Sequence, residues 1–111
     1  MNKKIFISGK ITGEPIEQCS QKFASAEWSI SRKMNLATKP QMDGSHDRTI
    51  NPLYIPGIYF GIPHSEAMKI CLEALKECTH IYMLKDWKDS PGARIEHEWA
   101  KNNGLEIIYE E

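Results

Sequence analysis

The sequence predicts an α/β fold: a single domain in which a mostly parallel sheet of about four strands lies between layers of helix. Short β-branched apolar runs alternate with longer stretches of helical periodicity, each run stops at a turn containing glycine or proline, and the connections are brief. Strands alternating with helices in this way are joined by crossover connections, which makes the sheet parallel and covers both its faces. The expected architecture is a Rossmann-like or flavodoxin-like three-layer sandwich, with its ligand crevice at the carboxyl ends of the strands. A chain of 111 residues can fill one such core but not two.

The elements follow in order. "KKIFIS" (Lys3–Ser8) is a buried first strand that stops at the loop "GKITGEP". Pro15 suits the first turn of a helix running to about Lys33, with Phe23, Ala24, Trp28, Ile30 and Met34 as its apolar positions and Glu17 and Glu27 on the outer side. "LATKPQMDGSHD" reads as an exposed loop, and "RTIN" before Pro52 as a second short strand. In "LYIPGIYFGIPH", proline and glycine break every period while Tyr54, Tyr59 and Phe60 keep the stretch apolar. It is either a lid over a site or a loop that packs on a partner subunit. "SEAMKICLEALKEC" has helical spacing with Ser65 as its cap, "HIYML" is a buried strand, and a third helix begins at Pro91 and ends near Gly104. "LEIIYEE" supplies the last strand.

Composition narrows the function classes. Charge is almost balanced, 14 Lys and Arg against 15 Asp and Glu, with no basic stripe interleaved with aromatics, so a nucleic-acid polymer is not the expected partner; a small anion is compatible. Cys19, Cys71 and Cys78 form no C-x-x-C pair and read as reduced core residues, with Cys71 and Cys78 two turns apart on one helix. The opening "MNKKIFISGK" has too short an apolar run for a signal peptide or a membrane span. A cytoplasmic protein with no membrane partner is expected.

Several familiar motifs fail on spacing. "SGKIT" lacks the glycine a P-loop needs five residues before its Gly-Lys pair, where Lys4 stands inside the strand. "HEWAK" has only the first half of H-E-x-x-H, and His46, His64 and His80 offer no ligand spacing around it, so no metal or other cofactor is called for. No G-x-S-x-G elbow is present. The loop after strand one still exposes backbone N–H groups, and Ser8, Gly9, Lys10, Thr12 and Gly13 form a candidate seat for a phosphate or a sugar hydroxyl.

The third helix is the most informative stretch. In "DSPGARIEHEWA" (Asp89–Ala100), a helical wheel puts Gly92, Ala93, Ile95, Trp99 and Ala100 on one arc, with Glu96 near its middle. A carboxylate aimed at a core costs several kcal/mol unless it is paired, protonated or facing a cavity. Two readings stand: an ion pair with a nearby Lys or Arg, or a functional carboxylate with Gly92 and Ala100 leaving space for a ring beside it. Ser90 at the helix N-terminus adds a hydroxyl and free N–H groups that favour an anion.

"ISGKITG", "INP", "CLEALKECTHIYML" and above all "SPGARIEHEWA" resemble the nucleoside 2-deoxyribosyltransferase superfamily, especially its short bacterial and phage members. The resemblance makes residues 1–111 one domain of that kind, apart from the "LATKPQMDGSH" insertion. Its most diagnostic part is G-x-x-x-E-x-x-x-A, here Gly92, Glu96 and Ala100. The resemblance implies that Glu96 is a nucleophile attacking the anomeric carbon of a nucleoside, with water or a second base resolving the intermediate, as in retaining glycosyl transfer.

Six residues before that glutamate, the nucleoside transferases usually carry Asp and the related deoxynucleoside 5′-monophosphate N-hydrolases carry Ser. Ser90 therefore implies a 5′-monophosphate substrate, bound also by Gly92. Tyr59, Glu66, Asp86 and Trp87 are candidates for the base side or a lid. Lys10 replaces a usual proline, Thr79 replaces a common Asp, and Glu66 matches the residue that assists the base only loosely. Characterised members carry a C-terminal segment through which a neighbouring subunit completes the site, whereas the sequence stops at Glu111; the expectation is that the aromatic loop substitutes or that activity is weakened or lost. A homodimer or larger homo-oligomer is expected, and the alternative function is a non-catalytic nucleotide-binding or sensing module on the same scaffold.

Overall fold

The computed structural model describes residues 3–11, 13–34, 36, 47–55, 57 and 62–110. Its element order is β1 (Lys4–Ser8), α1 (Ile16–Lys33), β2 (Arg48–Ile50), a 3₁₀ turn (Pro52–Tyr54), α2 (His64–Leu75), β3 (His80–Met83), a second 3₁₀ turn (Trp87–Asp89), α3 (Pro91–Asn102) and β4 (Glu106–Tyr109). The four strands form one sheet in the order β2-β1-β3-β4. All pairings are parallel: Ile5 lies beside Thr49 and His80, and Ile81 beside Ile107. The expected α/β sandwich is the one observed.

From β1 the chain steps outward to β2, then crosses back over β1 to β3 and continues away to β4. Reversing direction along a parallel sheet with crossovers of one hand sends the helices to opposite faces. One face accordingly holds α1, with Ile5, Ile7, Tyr82 and Leu84 packed against Phe23, Ala26 and Ile30. The other holds α2 and α3, with Phe6, Ile81 and Met83 packed against Cys71, Leu75, Ala93 and Ala100. Adjacent residues of a strand point to opposite faces, so Phe6 and Ser8 share the α2/α3 side while Ile5 and Ile7 share the α1 side. The direction of winding changes between β1 and β3, and their carboxyl ends mark the switch point where parallel sheets open a crevice.

Helix faces depart from the sequence reading in three places. The buried arc of α1 is Cys19, Phe23, Ala26 and Ile30, and Trp28 is 64% exposed with the Arg32 guanidinium 4.7 Å from its ring centre. Five residues beyond Phe23, Trp28 has rotated well off the buried line, as has Ala24 one residue on. Ser65 does not cap α2. The Pro63 carbonyl accepts the Glu66 and Ala67 amides at 3.1 and 3.0 Å, so the helix starts at His64 and Ser65 is already inside its first turn. Cys78 lies beyond the end of α2 rather than on it, its thiol 3.4 Å from the Ala74 carbonyl oxygen. All three cysteines are free and buried. Among the described residues no helix is long and apolar enough to cross a membrane.

Candidate active site

Helix α3 starts where its sequence dictates. Ser90, extended at φ −117° and ψ 114°, accepts the Ala93 amide on its hydroxyl at 3.2 Å, and Pro91 follows in the first helical position, where its missing N–H costs nothing. From that start the buried positions are Gly92, Ala93, Glu96 and Ala100, and Glu96 faces the sheet at the end of β1. Ile95, placed on the apolar arc from the sequence, is 46% exposed instead, because the arc that meets the sheet is centred on Glu96.

Glu96 is 6% exposed. The Ser8 hydroxyl donates to its Oε1 at 2.6 Å, and the Cys71 thiol on α2 forms a second hydrogen bond to the carboxyl group. Among the described residues its partners are thus a hydroxyl and a thiol; the expected alternative of a Lys or Arg partner is not met. Burial penalises the charged form and raises its pKa from an ordinary 4.5 to about 7, while the Ser8 and Cys71 hydrogen bonds pull in the opposite direction. Burial, with the neighbouring carboxylate, pushes the Cys71 thiol up to about 12, so Cys71 stays protonated and serves as a donor. The result is a carboxyl group divided between its acid and ionised forms near neutral pH.

Gly92 does not leave room beside this carboxyl. A Cβ there would lie 3.0 Å from Met68 Sδ and 3.3 Å from His64 Cε1, so the glycine lets α3 close against α2. Ala100 is fully buried in the same core. The space expected for a ring on either side of Glu96 is filled by helix packing. Gly9 serves a matching purpose at the end of β1, where a Cβ would meet Leu84 Cδ1 at 2.5 Å.

The loop after β1 is pinned at Lys10. The Lys10 amide donates to Asp86 Oδ1 at 3.0 Å, the Lys22 ammonium donates to the Lys10 carbonyl at 2.6 Å, and Lys22 and Asp86 pair at 2.6 Å. Gly13 is exposed with φ +84°. Glu66 is exposed in the first turn of α2, and Asp86 faces Lys22 and Lys10. One face of the Trp87 indole is covered by His97, with ring centres 4.3 Å apart, and His97 Nε2 lies 2.8 Å from the Tyr109 hydroxyl. Thr12 and Tyr59 lie outside the described residues.

The structure therefore brings Ser8 and Glu96 into direct contact, joins Asp86 to Lys10, and sets Ser90 and Gly92 at the start of the same helix as Glu96, whereas Glu66 and Trp87 have surroundings of their own. Sequence reasoning passed over Cys71 and Lys22, because a helical cysteine and a helical lysine carry no sign of what they will face. It also passed over Asn51 as a site residue. Asn51 Oδ1 accepts the Leu53 amide at 3.0 Å, and its buried Nδ2 has no hydrogen-bond partner among the described residues. Asn51 borders a depression of about 240 Å³ beside β2, together with Glu27, Arg48, Thr49 and Tyr54. No group of three or more His, Cys, Asp or Glu side chains that could hold a metal ion occurs among the described residues.

Fold and site together define a class: a small α/β domain with a parallel sheet and a buried carboxyl group of raised pKa beside the end of its first strand. The chain belongs to the family described as a domain of unknown function, DUF4406, which matches residues 3–109. Comparison with curated proteins and with solved structures gave no match.

Proposed function

We propose that the protein cleaves or exchanges the N-glycosidic bond of a deoxynucleoside or nucleoside 5′-monophosphate, with Glu96 as nucleophile. The observation that supports this reading most is the Glu96 carboxyl group itself, buried at the sheet edge where parallel folds take ligands and held by Ser8 and Cys71. In the first step a carboxylate oxygen bonds to the anomeric carbon, and the electron pair of the breaking C–N bond leaves with the base, which takes up a proton. In the second step water or another base displaces the carboxylate with a second inversion, so configuration is retained. Only ionised Glu96 can attack, so turnover should rise with pH through about 7. Reaching the carboxylate requires substrate to displace part of the packing that now covers it.

The phosphate is assigned to the N-terminus of α3, where Ser90 and the first-turn amides present a partial positive charge. The protein acts in a reducing, cytoplasmic setting, a reading supported by its three buried free thiols. It acts as a homo-oligomer, a reading supported by small size and by apolar side chains left in solvent, Tyr54 at 75% and Trp28 at 64% exposure. Sedimentation should find a dimer or larger; a monomer at every working concentration removes that part.

The test is base release from a panel of deoxynucleoside and ribonucleoside monophosphates, comparing the parent with Glu96→Gln. Release by the parent and a loss of roughly a thousandfold or more in the variant are expected. Equal turnover in both ends the nucleophile assignment. The second reading, a nucleotide-binding module without chemistry, is favoured by the closed packing around Glu96 and predicts binding of monophosphates with no base released.

A further inference from the structure

We infer that Lys22 and Asp86 are a positioning pair for the turn after β1 and, through that turn, for the Ser8 hydroxyl that holds Glu96. The inference rests on the reading of Glu96 as the reacting group. Lys10 is two residues beyond Ser8, and both its backbone groups are captured by side chains from elsewhere in the chain. Its N–H donates to Asp86 Oδ1 at 3.0 Å, and its carbonyl accepts from Lys22 Nζ at 2.6 Å. The ion pair at 2.6 Å closes the ring of contacts, with each side chain only 26% exposed. Lys22 comes from α1 and Asp86 from the turn after β3, so three elements meet on one peptide residue at the switch point.

A loop residue with no regular ladder would otherwise trade its backbone hydrogen bonds with water and sample several conformations. Here that freedom is removed on three sides. Leu84 stands where a Gly9 side chain would be, the Leu84 amide donates to the Ser8 carbonyl at 2.8 Å, and the Lys22–Asp86 pair fixes the next residue but one. Charge-assisted bonds that are partly shielded from solvent hold their geometry better than surface pairs do. The Ser8 hydroxyl reaches Glu96 at 2.6 Å, a contact that tolerates little movement of the strand end. Neither Lys22 nor Asp86 is among the side chains that bond to the Glu96 carboxyl. Their influence on it passes through the backbone of residues 8–10, which makes them positioning residues and not catalytic ones.

The experiment uses the full chain and NMR: hydrogen exchange of the Lys10 amide, and titration of the Glu96 carboxyl carbon, which is faced by Ser8 from β1 and by Cys71 from α2. In Asp86→Ala the Lys10 amide should exchange at least about tenfold faster. The Glu96 midpoint should rise in the same direction as in Ser8→Ala, because a donor that favours the ionised form has drifted away. Combining Asp86→Ala with Ser8→Ala should raise it no further. Asp86→Asn keeps an acceptor for the Lys10 amide and should fall between parent and Asp86→Ala. In the base-release assay kcat should drop about tenfold with KM nearly unchanged.

Should Asp86→Ala not fold, Asp86→Asn and Lys22→Met decide by the same two NMR readings. Faster Lys10 exchange with the Glu96 midpoint at its parental value overturns the inference, leaving the pair a loop anchor only; unchanged Lys10 exchange overturns it as well. If the parent releases no base, the reaction proposed above fails while both NMR readings still decide this one.

Discussion

On the α1 side of the sheet, Ile5, Ile7, Tyr82 and Leu84 meet Phe23, Ala26 and Ile30 in a layer that buries no charged side chain, and its charged pair, Lys22 and Asp86, stays a quarter exposed at the rim. On the α2/α3 side the same strand presents Phe6 and then Ser8, and the helices answer with Cys71, Ala93, Ala100 and a buried glutamate. One face has spent its interior on packing alone. The other places an ionisable group where another Leu would have been more stable, and surrounds it with small side chains that bring two helices close. Natural chains depart from the stability optimum in this way chiefly where function requires it.

The largest expected effect comes from Glu96→Gln. Beyond its loss of turnover, it should alter how stability depends on pH. The folded state binds the Glu96 proton more tightly than the unfolded chain does, since burial raises its pKa from 4.5 to about 7. Stability from this group is therefore fully present below about pH 4.5 and lost as pH rises through about 7. The difference corresponds to about 3 kcal/mol. Gln cannot ionise, so the variant should match the parent near pH 4.5 and exceed it by up to about 3 kcal/mol at pH 8 in urea unfolding. A variant less stable than the parent at pH 8 would mean that the carboxylate is held by a charge and that the two faces differ less than they appear to.

Ser90→Asp comes next. A carboxylate at the helix start remains a good cap, so folding should survive, while like charges about 4 Å apart at an effective dielectric of about 20 repel by roughly 4 kcal/mol. Monophosphate binding should weaken on the order of a thousandfold and nucleoside binding far less, as calorimetry would show. Equal binding of monophosphates by variant and parent places the phosphate elsewhere.

The α1 face should respond in stability alone. Ile30 is fully buried more than two turns of α1 beyond Lys22, and Ile30→Ala should cost about 3 kcal/mol in urea unfolding while leaving the Glu96 titration at its parental midpoint. A displaced midpoint would show that the two faces are coupled through the sheet.

How much of this could be read from the chain differs between the faces as well. The strand runs "KIFIS" and "HIYM" carry their burial in their composition, and the alternation of elements fixed the parallel sheet. Glu96 was legible because a charged residue interrupts an otherwise small and apolar arc, and Ser90 because a hydroxyl before Pro-Gly is a helix start. Cys71 and Lys22 were not legible, since their meaning depends on which residue of another element lies opposite. Nor was the use of Gly92. "GARIE" states that a side chain is missing at residue 92 but not whether a ligand or a neighbouring helix fills the gap.

The smallest effect follows from that last point and compares the two glycines. At Gly9 an added Cβ would sit 2.5 Å from Leu84 Cδ1 and 2.9 Å from Leu84 Cβ, closer than such atoms approach, and although Cδ1 can swing away, Cβ is fixed to the backbone just beyond β3. Gly9→Ala should therefore cost about 2–3 kcal/mol, the upper range for overpacking, and should disturb the Ser8 hydroxyl. At Gly92 the nearest atom is the sulfur of Met68 at 3.0 Å, in a flexible side chain, and His64 Cε1 follows at 3.3 Å on an exposed residue. Both can give way by a few tenths of an ångström, and alanine is the better helix former by about 1 kcal/mol, which offsets part of the strain. Gly92→Ala should change stability by less than about 1 kcal/mol in urea unfolding. If it leaves stability alone yet abolishes monophosphate binding, the missing side chain serves a ligand as well as a helix. If it proves as costly as Gly9→Ala, the α2/α3 layer is packed as tightly as the α1 layer, and substrate must enter the site by moving more than side chains.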